Sequence, residues 1–319
     1  MRSSSQCPVC RDPRYQELFG LRDRLFRVTE SSFTLRECAG CGVLYIDPMP
    51  AEEEIEALYP ASYWMGAGDP PRGKALRNLR ERYRRIVISS HRRIVRSVVD
   101  RQMREGRWAG LLDVGCGDGS ALESFACRPC TGLEISPQAA RAVQTRGLGS
   151  VRGLLAPAPF RREAFSLVTM FHVLEHLPRP QIYLESAREI LTKDGTLIVQ
   201  VPNADSWQAR LLRSRWQGFD PPRHLVNFSA RTLRALLESA GFRVVAESHF
   251  SIRDNPACLA MSLAPGLYPP ARVGGPAEGL TGALADLAFL TLTLASTPFA
   301  VAESLVGRGA VVMARCTPV

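Results

Sequence analysis

The sequence predicts an α/β protein built on a doubly wound, mostly parallel β-sheet and preceded by a small cysteine-rich module. Three observations support this fold class. From Leu111 onward, short apolar runs alternate with amphipathic segments, which is typical of a parallel sheet covered by helices. A glycine-rich turn, from Gly115 to Gly119, directly follows the first of these apolar runs. Two Cys-x-x-Cys pairs stand near the beginning of the chain.

Residues 1–50 are predicted to form a zinc-binding module. Cys7 and Cys10 form the first cysteine pair, and Cys38 and Cys41 form the second. Four thiolates complete the tetrahedral shell of Zn²⁺ and leave no open position, so this metal is expected to be structural. The chain begins without an apolar leader segment, which favours a reducing, cytoplasmic compartment where paired cysteines bind metal.

Residues 51–107 are predicted to form a hinge followed by a basic amphipathic helix. Between Arg72 and Arg107 there are 13 Arg or Lys residues against 3 acidic ones, so the net charge of +9 is concentrated in this segment. The segment is interpreted either as a solvated helix face or as a contact for nucleic acid, anionic lipid or an acidic small molecule. Nucleic acid is disfavoured because the arginines lack interleaved aromatic residues that stack on bases.

Residues 108–250 are predicted to hold the main sheet. Ser136 followed by Pro137 indicates a helix start, Ser229 indicates another, and Gly241 indicates a helix end. The predicted strands are LLDV, CTGLEI, FSLVTMF, TLIVQVP and FRVVAES, and the predicted helices are SPQAARAVQTRG, RPQIYLESAREIL and SARTLRALLESAG.

The turn after the first strand is interpreted as a nucleotide-type binding loop. The pattern Asp-x-Gly-x-Gly-x-Gly runs from Asp113 to Gly119. Ser120 and Ala121 stand where a phosphate-binding P-loop needs Lys and then Ser or Thr, and Ser120 also departs from the Gly or Ala of the dinucleotide pattern. Glu134, at the end of the next strand, is a carboxylate suited to ribose hydroxyls.

From about Gly110 to Phe250, the chain resembles the class I S-adenosylmethionine-dependent methyltransferases, which have a Rossmann-like fold. The resemblance rests on LLDVGCGDG, TGLEISP, FSLVTMFHVLEHLPRP, GTLIVQVPN and PPRHLVNFSARTLRALLESAGF, in this order. It implies that S-adenosyl-L-methionine binds along the glycine turn and that Glu134 holds both ribose hydroxyls. The residues expected to contact this cofactor are Asp113, Gly115, Cys116, Gly117, Gly119, Glu134, Ile135, Leu154, Leu155, Phe171 and His172.

Four side chains are predicted to carry the chemistry of methyl transfer to a hydroxyl, which needs positioning and a base. His172, Glu175 and His176 follow a predicted strand at the carboxyl edge of the sheet, where ligands of such sheets bind. His224 lies in the acceptor-loop segment 203–228 and is predicted to be the base, ahead of His176. The alternative is that these side chains only hydrogen-bond their loops.

A second metal site is a further expectation. The stretch resembles the ubiquinone-pathway O-methyltransferases, whose Glu-x-x-Glu-His cluster can hold a divalent metal. That resemblance implies that His172, Glu175 and His176 are candidates for a second divalent ion.

Residues 251–319 are predicted to contribute an apolar helical insertion and the last strand, GAVVMARC. Leu287 to Ala302 is a run of 16 uncharged residues, which is shorter than a membrane-spanning helix. Three interpretations stay open: a buried helical pair, the face of a homodimer, and peripheral contact with an anionic membrane through 72–107 and 283–305.

The predicted function is methyl transfer to a small-molecule or glycan-type acceptor, at a hydroxyl oxygen, in a biosynthetic pathway. The zinc module and this core together resemble enzymes of sugar and secondary-metabolite gene clusters. One alternative is a ribosomal RNA methyltransferase with a zinc module, although such enzymes usually complete the zinc site with a histidine. Another is a non-catalytic, membrane-associated scaffold, which the intact glycine turn and Glu134 disfavour. The expected location is the cytoplasm or the inner face of the membrane.

Overall fold

The computed structural model describes residues 6–51, 54–60, 74–157, 159–272 and 280–319 of the chain. The predicted hinge before the basic helix falls within 61–73 and lies outside the described residues.

The described residues form two β-sheets and eight α-helices, with short 3₁₀ turns between them. The strands are β1 (Tyr15–Arg22), β2 (Ser32–Cys38), β3 (Leu44–Asp47), β4 (Leu111–Val114), β5 (Cys130–Glu134), β6 (Gly149–Arg152), β7 (Phe165–Phe171), β8 (Leu191–Pro202), β9 (Val226–Asn227), β10 (Phe242–Ser248) and β11 (Val311–Pro318). The helices are α1 (Lys74–Arg104), α2 (Ser120–Ser124), α3 (Pro137–Thr145), α4 (Pro180–Ile190), α5 (Trp207–Leu212), α6 (Ala230–Ser239), α7 (Asn255–Leu263) and α8 (Leu280–Leu305).

The larger sheet has seven strands in the order β10-β11-β8-β7-β4-β5-β6. Strands β6, β5, β4, β7 and β8 run parallel, and β11 runs antiparallel to both β8 and β10. The chain moves outward from β4 to β5 and β6, then returns to the other side of β4 at β7. Ligands of doubly wound sheets bind at the carboxyl ends of the strands where the order reverses in this way. The topology therefore predicts a binding site at the ends of β4 and β7.

Both faces of this sheet are covered, because successive side chains of a strand point to opposite sides. On β4, Leu112 and Val114 face a hydrophobic core that also contains Val168 of β7, whereas Leu111 faces a second core. Nearly continuous apolar runs are typical of such doubly covered parallel strands. This arrangement confirms the predicted fold class.

The predicted helix starts are confirmed. The Ser136 hydroxyl accepts a hydrogen bond from the Ala139 N–H at the first turn of α3. Ser229 and Thr232 form a reciprocal capping box at the start of α6. Each cap satisfies a backbone N–H that the helix itself leaves unpaired.

Helix α1 packs against the sheet over the part whose side chains are described. Val95, Val98 and Val99 are buried in the second core, while Arg92 and Arg93 point outward. The side chain of Gln102 also donates a hydrogen bond to the Asp194 carbonyl. The described half of the basic segment is therefore a core helix with a solvated basic face.

The smaller sheet has the order β1-β2-β3-β9. Strand β9 lies in the predicted acceptor loop, and it pairs antiparallel with β3 through Leu44 opposite Asn227 and Tyr45 opposite Val226. Phe33, Leu35 and Tyr45 enter the same hydrophobic core as β7 and β8. Strand β9, which joins the cysteine-rich module to the acceptor loop, is not predicted by the sequence pattern.

Helix α8 packs against α7 and precedes the last strand. Among the described residues, one helix is long and apolar enough to cross a membrane. It is Thr281–Leu305, with a mean hydropathy of 1.6 and only 17% of its apolar window buried. The helix is therefore longer than the apolar run that predicted it.

Candidate active site

The glycine turn follows β4 at the point where the strand order reverses. Gly115, Gly117 and Gly119 have φ angles of +67°, +55° and +76°, in the left-handed region that favours glycine. A Cβ atom at Gly115 would lie 2.6 Å from the Val173 side chain, so that position also lacks room. A Cβ atom at Gly117 would meet nothing within 4 Å, which leaves its backbone facing open space.

Glu134 closes one side of that space. Its two carboxylate oxygens accept hydrogen bonds from the Gly117 N–H (3.0 Å) and the Ser136 N–H (2.9 Å). Burial raises the pKa of Glu134, while these backbone donors lower it, and the net shift is upward. An acidic side chain thus lies beside the open backbone of the glycine turn, which fits a cofactor that offers ribose hydroxyls.

Two predicted cofactor residues lie beneath the turn. The Asp113 carboxylate is buried and accepts a hydrogen bond from the Thr169 hydroxyl (2.6 Å), and burial raises its pKa to about 7. The Cys116 side chain points into the second core, where its Sγ atom lies 2.4 Å from the place a Cβ on Gly132 would occupy. Both side chains are therefore buried between the glycine turn and the sheet, where they pack against the turn.

The remaining predicted cofactor residues lie around the same edge of the sheet. Ile135 and Phe171 are partly exposed at the ends of β5 and β7, and Leu154 is partly exposed after β6. Leu155 is buried in the first core with 1% exposure. The four side chains are therefore suited to apolar contact rather than hydrogen bonding.

His172 occupies the first position after β7 with a φ angle of +57°, which is uncommon for a residue with a side chain. Its Nδ1 lies 3.1 Å from Glu175 Oε1. Its Nε2 lies 2.8 Å from the Gln200 amide nitrogen and 3.6 Å from Asp254 Oδ2. Burial lowers the pKa of His172, but Asp254 and Glu175 outweigh burial and raise it to about 9. Because both ring nitrogens are engaged, this histidine is suited to orienting Glu175.

Glu175, His176 and His224 form a second group of polar side chains. Glu175 is 1% exposed, and its Oε2 atom has no hydrogen-bond partner among the described residues. The rings of His176 and His224 meet edge to face, with centroids 4.7 Å apart. One ligand atom from each of the three residues lies within 4.8 Å of the others. The structure thus brings together three of the four predicted catalytic side chains.

Backbone carbonyls determine which ring nitrogens carry protons. His224 Nδ1 lies 2.7 Å from the Gly218 carbonyl, and His176 Nδ1 lies 2.9 Å from the Arg223 carbonyl. Since a carbonyl only accepts, we assign a hydrogen to each Nδ1, which at His176 also contacts the Tyr59 hydroxyl (2.9 Å), and each neutral ring then keeps its lone pair on Nε2. Burial, with a smaller effect from His224, lowers the pKa of His176 to about 4, so His176 is neutral at pH 7.

This cluster also fits the expected second metal, with one change in the ligand set. Two imidazoles and one carboxylate are typical ligands of catalytic zinc and of other divalent ions. His172, which the resemblance implied as a ligand, has both nitrogens engaged elsewhere, and His224 stands in its place. The unpaired Glu175 Oε2 is the atom that a cation would satisfy.

Four residues at this site were not predicted from the sequence: Gln200, His91, Asp254 and Tyr59. Gln200 links His172 to His91 and to Asp254, with contacts of 2.8 to 2.9 Å. The signal for Gln200 was a lone polar residue in the apolar strand TLIVQVP. The Tyr59 hydroxyl lies 2.9 Å from His176 Nδ1, but no local pattern marked Tyr59 or Asp254.

A buried ion-pair cluster braces the loop that carries His224. The Arg223 side chain is fully buried and donates to Asp220 (2.7 Å) in the same loop and to Asp23 (2.8 Å) after β1. It also lies 3.5 Å from the Leu58 carbonyl. Arg223 therefore ties the acceptor loop to the cysteine-rich module.

The four predicted zinc ligands converge in that module. The Sγ atoms of Cys7 and Cys41 lie 3.7 Å apart, and those of Cys10 and Cys38 lie 3.4 Å apart. Around Zn²⁺ with Zn–S bonds of about 2.3 Å, the sulfur atoms of a tetrahedron are about 3.8 Å apart. The contact between Cys7 and Cys41 lowers the pKa of Cys7 to about 5 and raises the pKa of Cys41. The residues fit a four-cysteine zinc site.

Comparisons with known proteins identify the family. A family model described as "Methyltransferase domain" matches residues 79–247, just over half of the chain. The chain is 29% identical over 104 residues to a ubiquinone biosynthesis O-methyltransferase of Xanthomonas oryzae pv. oryzae, covering 30% of this chain and 44% of the relative. It is 28% identical over 141 residues to a probable S-adenosylmethionine-dependent methyltransferase of Mycolicibacterium smegmatis, covering 42% and 52%. The chain thus spans about half the length of these curated relatives.

The chain is also similar to a solved structure. The SAM-dependent methyltransferase of Thermotoga maritima, described as a possible histamine N-methyltransferase, is 21% identical. The match covers 76% of this chain and 96% of that protein, with a TM-score of 0.45. On the strength of the family match, together with the sheet topology and the glycine turn, the chain belongs to the methyltransferase-domain family and is a class I S-adenosylmethionine-dependent methyltransferase.

Proposed function

We propose that this enzyme transfers a methyl group to a hydroxyl oxygen of a small-molecule or glycan-type acceptor. The observation that carries the proposal is the pairing of His176 and His224, whose Nε2 lone pairs are left available by carbonyl-bound Nδ1 atoms. These rings lie beyond the end of β7, at the same edge of the sheet as the glycine turn. A hydroxyl acceptor needs a proton acceptor at such a place, whereas an acceptor that is already anionic does not.

Each residue of the site has a proposed role. S-adenosyl-L-methionine supplies an electrophilic methyl group, and Glu134 with the glycine turn holds it. His224 takes the hydroxyl proton on Nε2, and the Gly218 carbonyl stabilises the imidazolium that results by accepting from Nδ1. His176 packs edge to face against the His224 ring and orients it, and Glu175 adds a negative charge next to the two histidines.

The test separates cofactor binding from turnover. We expect calorimetry with S-adenosylhomocysteine to give one site per chain in the wild type and strongly weakened binding in Glu134→Ala. The His224→Asn variant should keep this affinity within a few-fold. Its transfer of labelled methyl to a panel of phenols and sugars should fall by roughly a hundredfold, the usual contribution of a general base.

His249→Asn is a matched control, because His249 is a histidine that lies outside the cluster. This variant should leave both cofactor affinity and turnover close to wild type. Near-native turnover of His224→Asn across the pH range would refute His224 as the base. A parallel loss of cofactor binding would refute it as well, since the residue would then belong to the cofactor site.

A divalent ion is a second way to activate the hydroxyl, and one specific observation favours it. The buried, unpaired Oε2 of Glu175 lies with the ligand atoms of His176 and His224. These three residues would hold the ion, which would lower the pKa of a bound hydroxyl. If this pathway operates, chelation removes turnover and added Mg²⁺, Mn²⁺ or Zn²⁺ restores it. Turnover that is unchanged after chelation would refute it and leave the histidine pathway.

The four-cysteine site is proposed to hold a structural Zn²⁺. Its ligands stand in the module that β9 and Arg223 join to the acceptor loop. A closed shell of four thiolates has no position for substrate, so the zinc contributes to folding rather than to the reaction.

We also propose that α8 rests on a membrane surface at the cytoplasmic side. Part of the helix turns polar residues inward and leucines outward, which is the reverse of a water-facing helix. Thr293, Ser296 and Glu303 are buried, whereas Leu287 and Leu294 are about 60% exposed. A homodimer that covers the same leucines is the competing arrangement.

A further inference from the structure

A groove lined by arginines lies between the cysteine-rich module and the segment after α5. It has a volume of about 410 Å³, within the range of small-molecule sites of about 300–1,000 Å³. Its walls include Arg22 at the end of β1, Arg24 two residues later, Ser32 at the start of β2, and Ser214 with Arg215 after α5. None of the described residues that line the groove is acidic.

The positive charge of the groove is not neutralised by an ion pair among the described residues. Arg24 donates to the carbonyls of Arg215 and Ser262, which are neutral acceptors. The neighbouring carboxylate of Asp23 turns inward, where both of its oxygens bind Arg223. Burial lowers the pKa of Arg24, and the repulsion by Arg215 lowers it further. The surrounding fold thus holds the guanidinium groups of Arg24 and Arg215 near each other despite their mutual repulsion.

Strand pairing fixes part of the backbone around the groove. Arg22 lies opposite Ser32 in the β1–β2 ladder. Next to the groove, the Arg213 guanidinium lies over the Phe19 ring of β1, 5.4 Å from its centre. The positions of the basic side chains therefore depend on strands and packed turns.

The groove also lies next to the acceptor loop. Phe19 of β1 packs edge to face against Phe219, with centroids 5.7 Å apart. Phe219 directly follows Gly218, whose carbonyl holds His224. An anion in the groove would therefore be separated from the acceptor loop by one layer of aromatic side chains.

We propose that this groove binds a phosphate or diphosphate group. Guanidinium groups offer planar forks of N–H donors that match phosphate oxygens, and charge-assisted bonds of this kind are about twice as strong as neutral ones. The two serine hydroxyls add donors on opposite walls. The proposal does not depend on the methyl acceptor. The phosphate belongs either to a soluble phosphorylated molecule or to an anionic lipid headgroup.

The test is a calorimetric titration of the full-length protein with pyrophosphate in a low-salt chloride buffer. We expect one pyrophosphate per chain for the wild type and an affinity at least tenfold lower for the double variant Arg22→Gln/Arg215→Gln. Both arginines are exposed, so this variant should fold normally. The control is Arg141→Gln/Arg243→Gln, which removes the same charge from exposed positions on α3 and β10. The control should bind pyrophosphate within twofold of the wild type.

Two further arms identify the source of the phosphate and separate the groove from the cofactor site. The first arm uses vesicles that contain phosphatidic acid. A lipid headgroup is indicated if these vesicles bind the wild type but not the groove variant, and if pyrophosphate displaces the wild type from them. Pyrophosphate binding without such vesicle binding would indicate a soluble ligand. Glu134→Ala should leave pyrophosphate affinity unchanged. No binding of pyrophosphate by the wild type, or equal losses in the groove and control variants, would overturn the proposal.

Discussion

Replacing Arg223 with Met removes the charge that stabilises two buried carboxylates. The Arg223 side chain is fully buried, and its partners Asp23 and Asp220 have side chains that are 0% and 9% exposed. Breaking a buried ion pair by removing one partner costs about 3–5 kcal/mol, because the other charge stays buried without compensation. Methionine keeps most of the volume, so the cost of an added cavity is small. We expect the free energy of unfolding at pH 7 to fall by about 3–5 kcal/mol, a large share of the usual 5–15 kcal/mol.

The loss should depend on pH with a definite sign. Burial raises the pKa of Asp220, but Arg223 outweighs burial and the net pKa is lowered. In the wild type, the stability that this carboxylate contributes is therefore present at neutral pH and lost as the pH falls through its lowered pKa. Without Arg223, burial is the largest remaining influence on Asp220, against the opposing effects of His224 and His176, so its pKa should rise and the variant should become less stable as the pH rises. The difference between the two proteins should be larger at pH 7 than at pH 4.5.

Urea unfolding followed by tryptophan fluorescence, at both pH values, measures these differences. Arg141→Met, which removes an exposed arginine, should change the free energy of unfolding by no more than about 0.5 kcal/mol. Adding Asp220→Asn to Arg223→Met should restore part of the stability, because one of the two uncompensated charges is removed. A loss below 1 kcal/mol at pH 7, or an equal loss at both pH values, would show that the ion-pair cluster does not brace the loop.

Three further predictions concern other parts of the molecule. Elemental analysis should find about one Zn²⁺ per chain and almost none after Cys38 and Cys41 are both replaced by Ser; retention of zinc in that variant would contradict the four-cysteine site. Asp113→Asn should gain stability relative to the wild type as the pH rises from 4 to 7, by on the order of 1.4 kcal/mol per unit, because burial raises the folded pKa of Asp113 to about 7. Parallel urea-unfolding profiles of the two proteins would contradict this assignment. Replacing Leu287 and Leu294 with Ser should abolish co-sedimentation with anionic vesicles and leave the elution volume on size exclusion unchanged; a shift from dimer to monomer would instead support the homodimer.

Much of the large sheet could be predicted from the sequence because its signals are local. The strands β4, β5, β7, β8 and β10 are apolar runs bounded by turn residues, and the caps at Ser136 and Ser229 depend on residues within one helical turn. The glycine turn is equally local, since three positive φ angles within five residues require glycine. The convergence of the four cysteines was predicted from the ligand preference of zinc, without knowledge of the path of the chain.

The parts that could not be predicted depend on contacts between distant segments. Strand β9 has two residues, too few for a periodic pattern, and it forms only because β3 offers an edge. The contact of Gln200 with Asp254 joins a strand to a region that local composition marked only as apolar. For His172, the sequence indicated a residue at the edge of the sheet, but its pairing with two carboxylates depends on this tertiary arrangement.

The pairing of β3 with β9 has a consequence for the order of events during synthesis of the chain. Tyr45 pairs with Val226, so about 180 residues must be added after Tyr45 before the small sheet gains its fourth strand. At about 5–20 residues per second, this takes roughly 10 to 40 seconds. During that interval β3 has an open edge, while all four cysteines that are proposed to bind zinc are already in the nascent chain. Early capture of the metal would hold the module in shape until the acceptor loop arrives, and a shortage of zinc during translation would expose that edge to other chains.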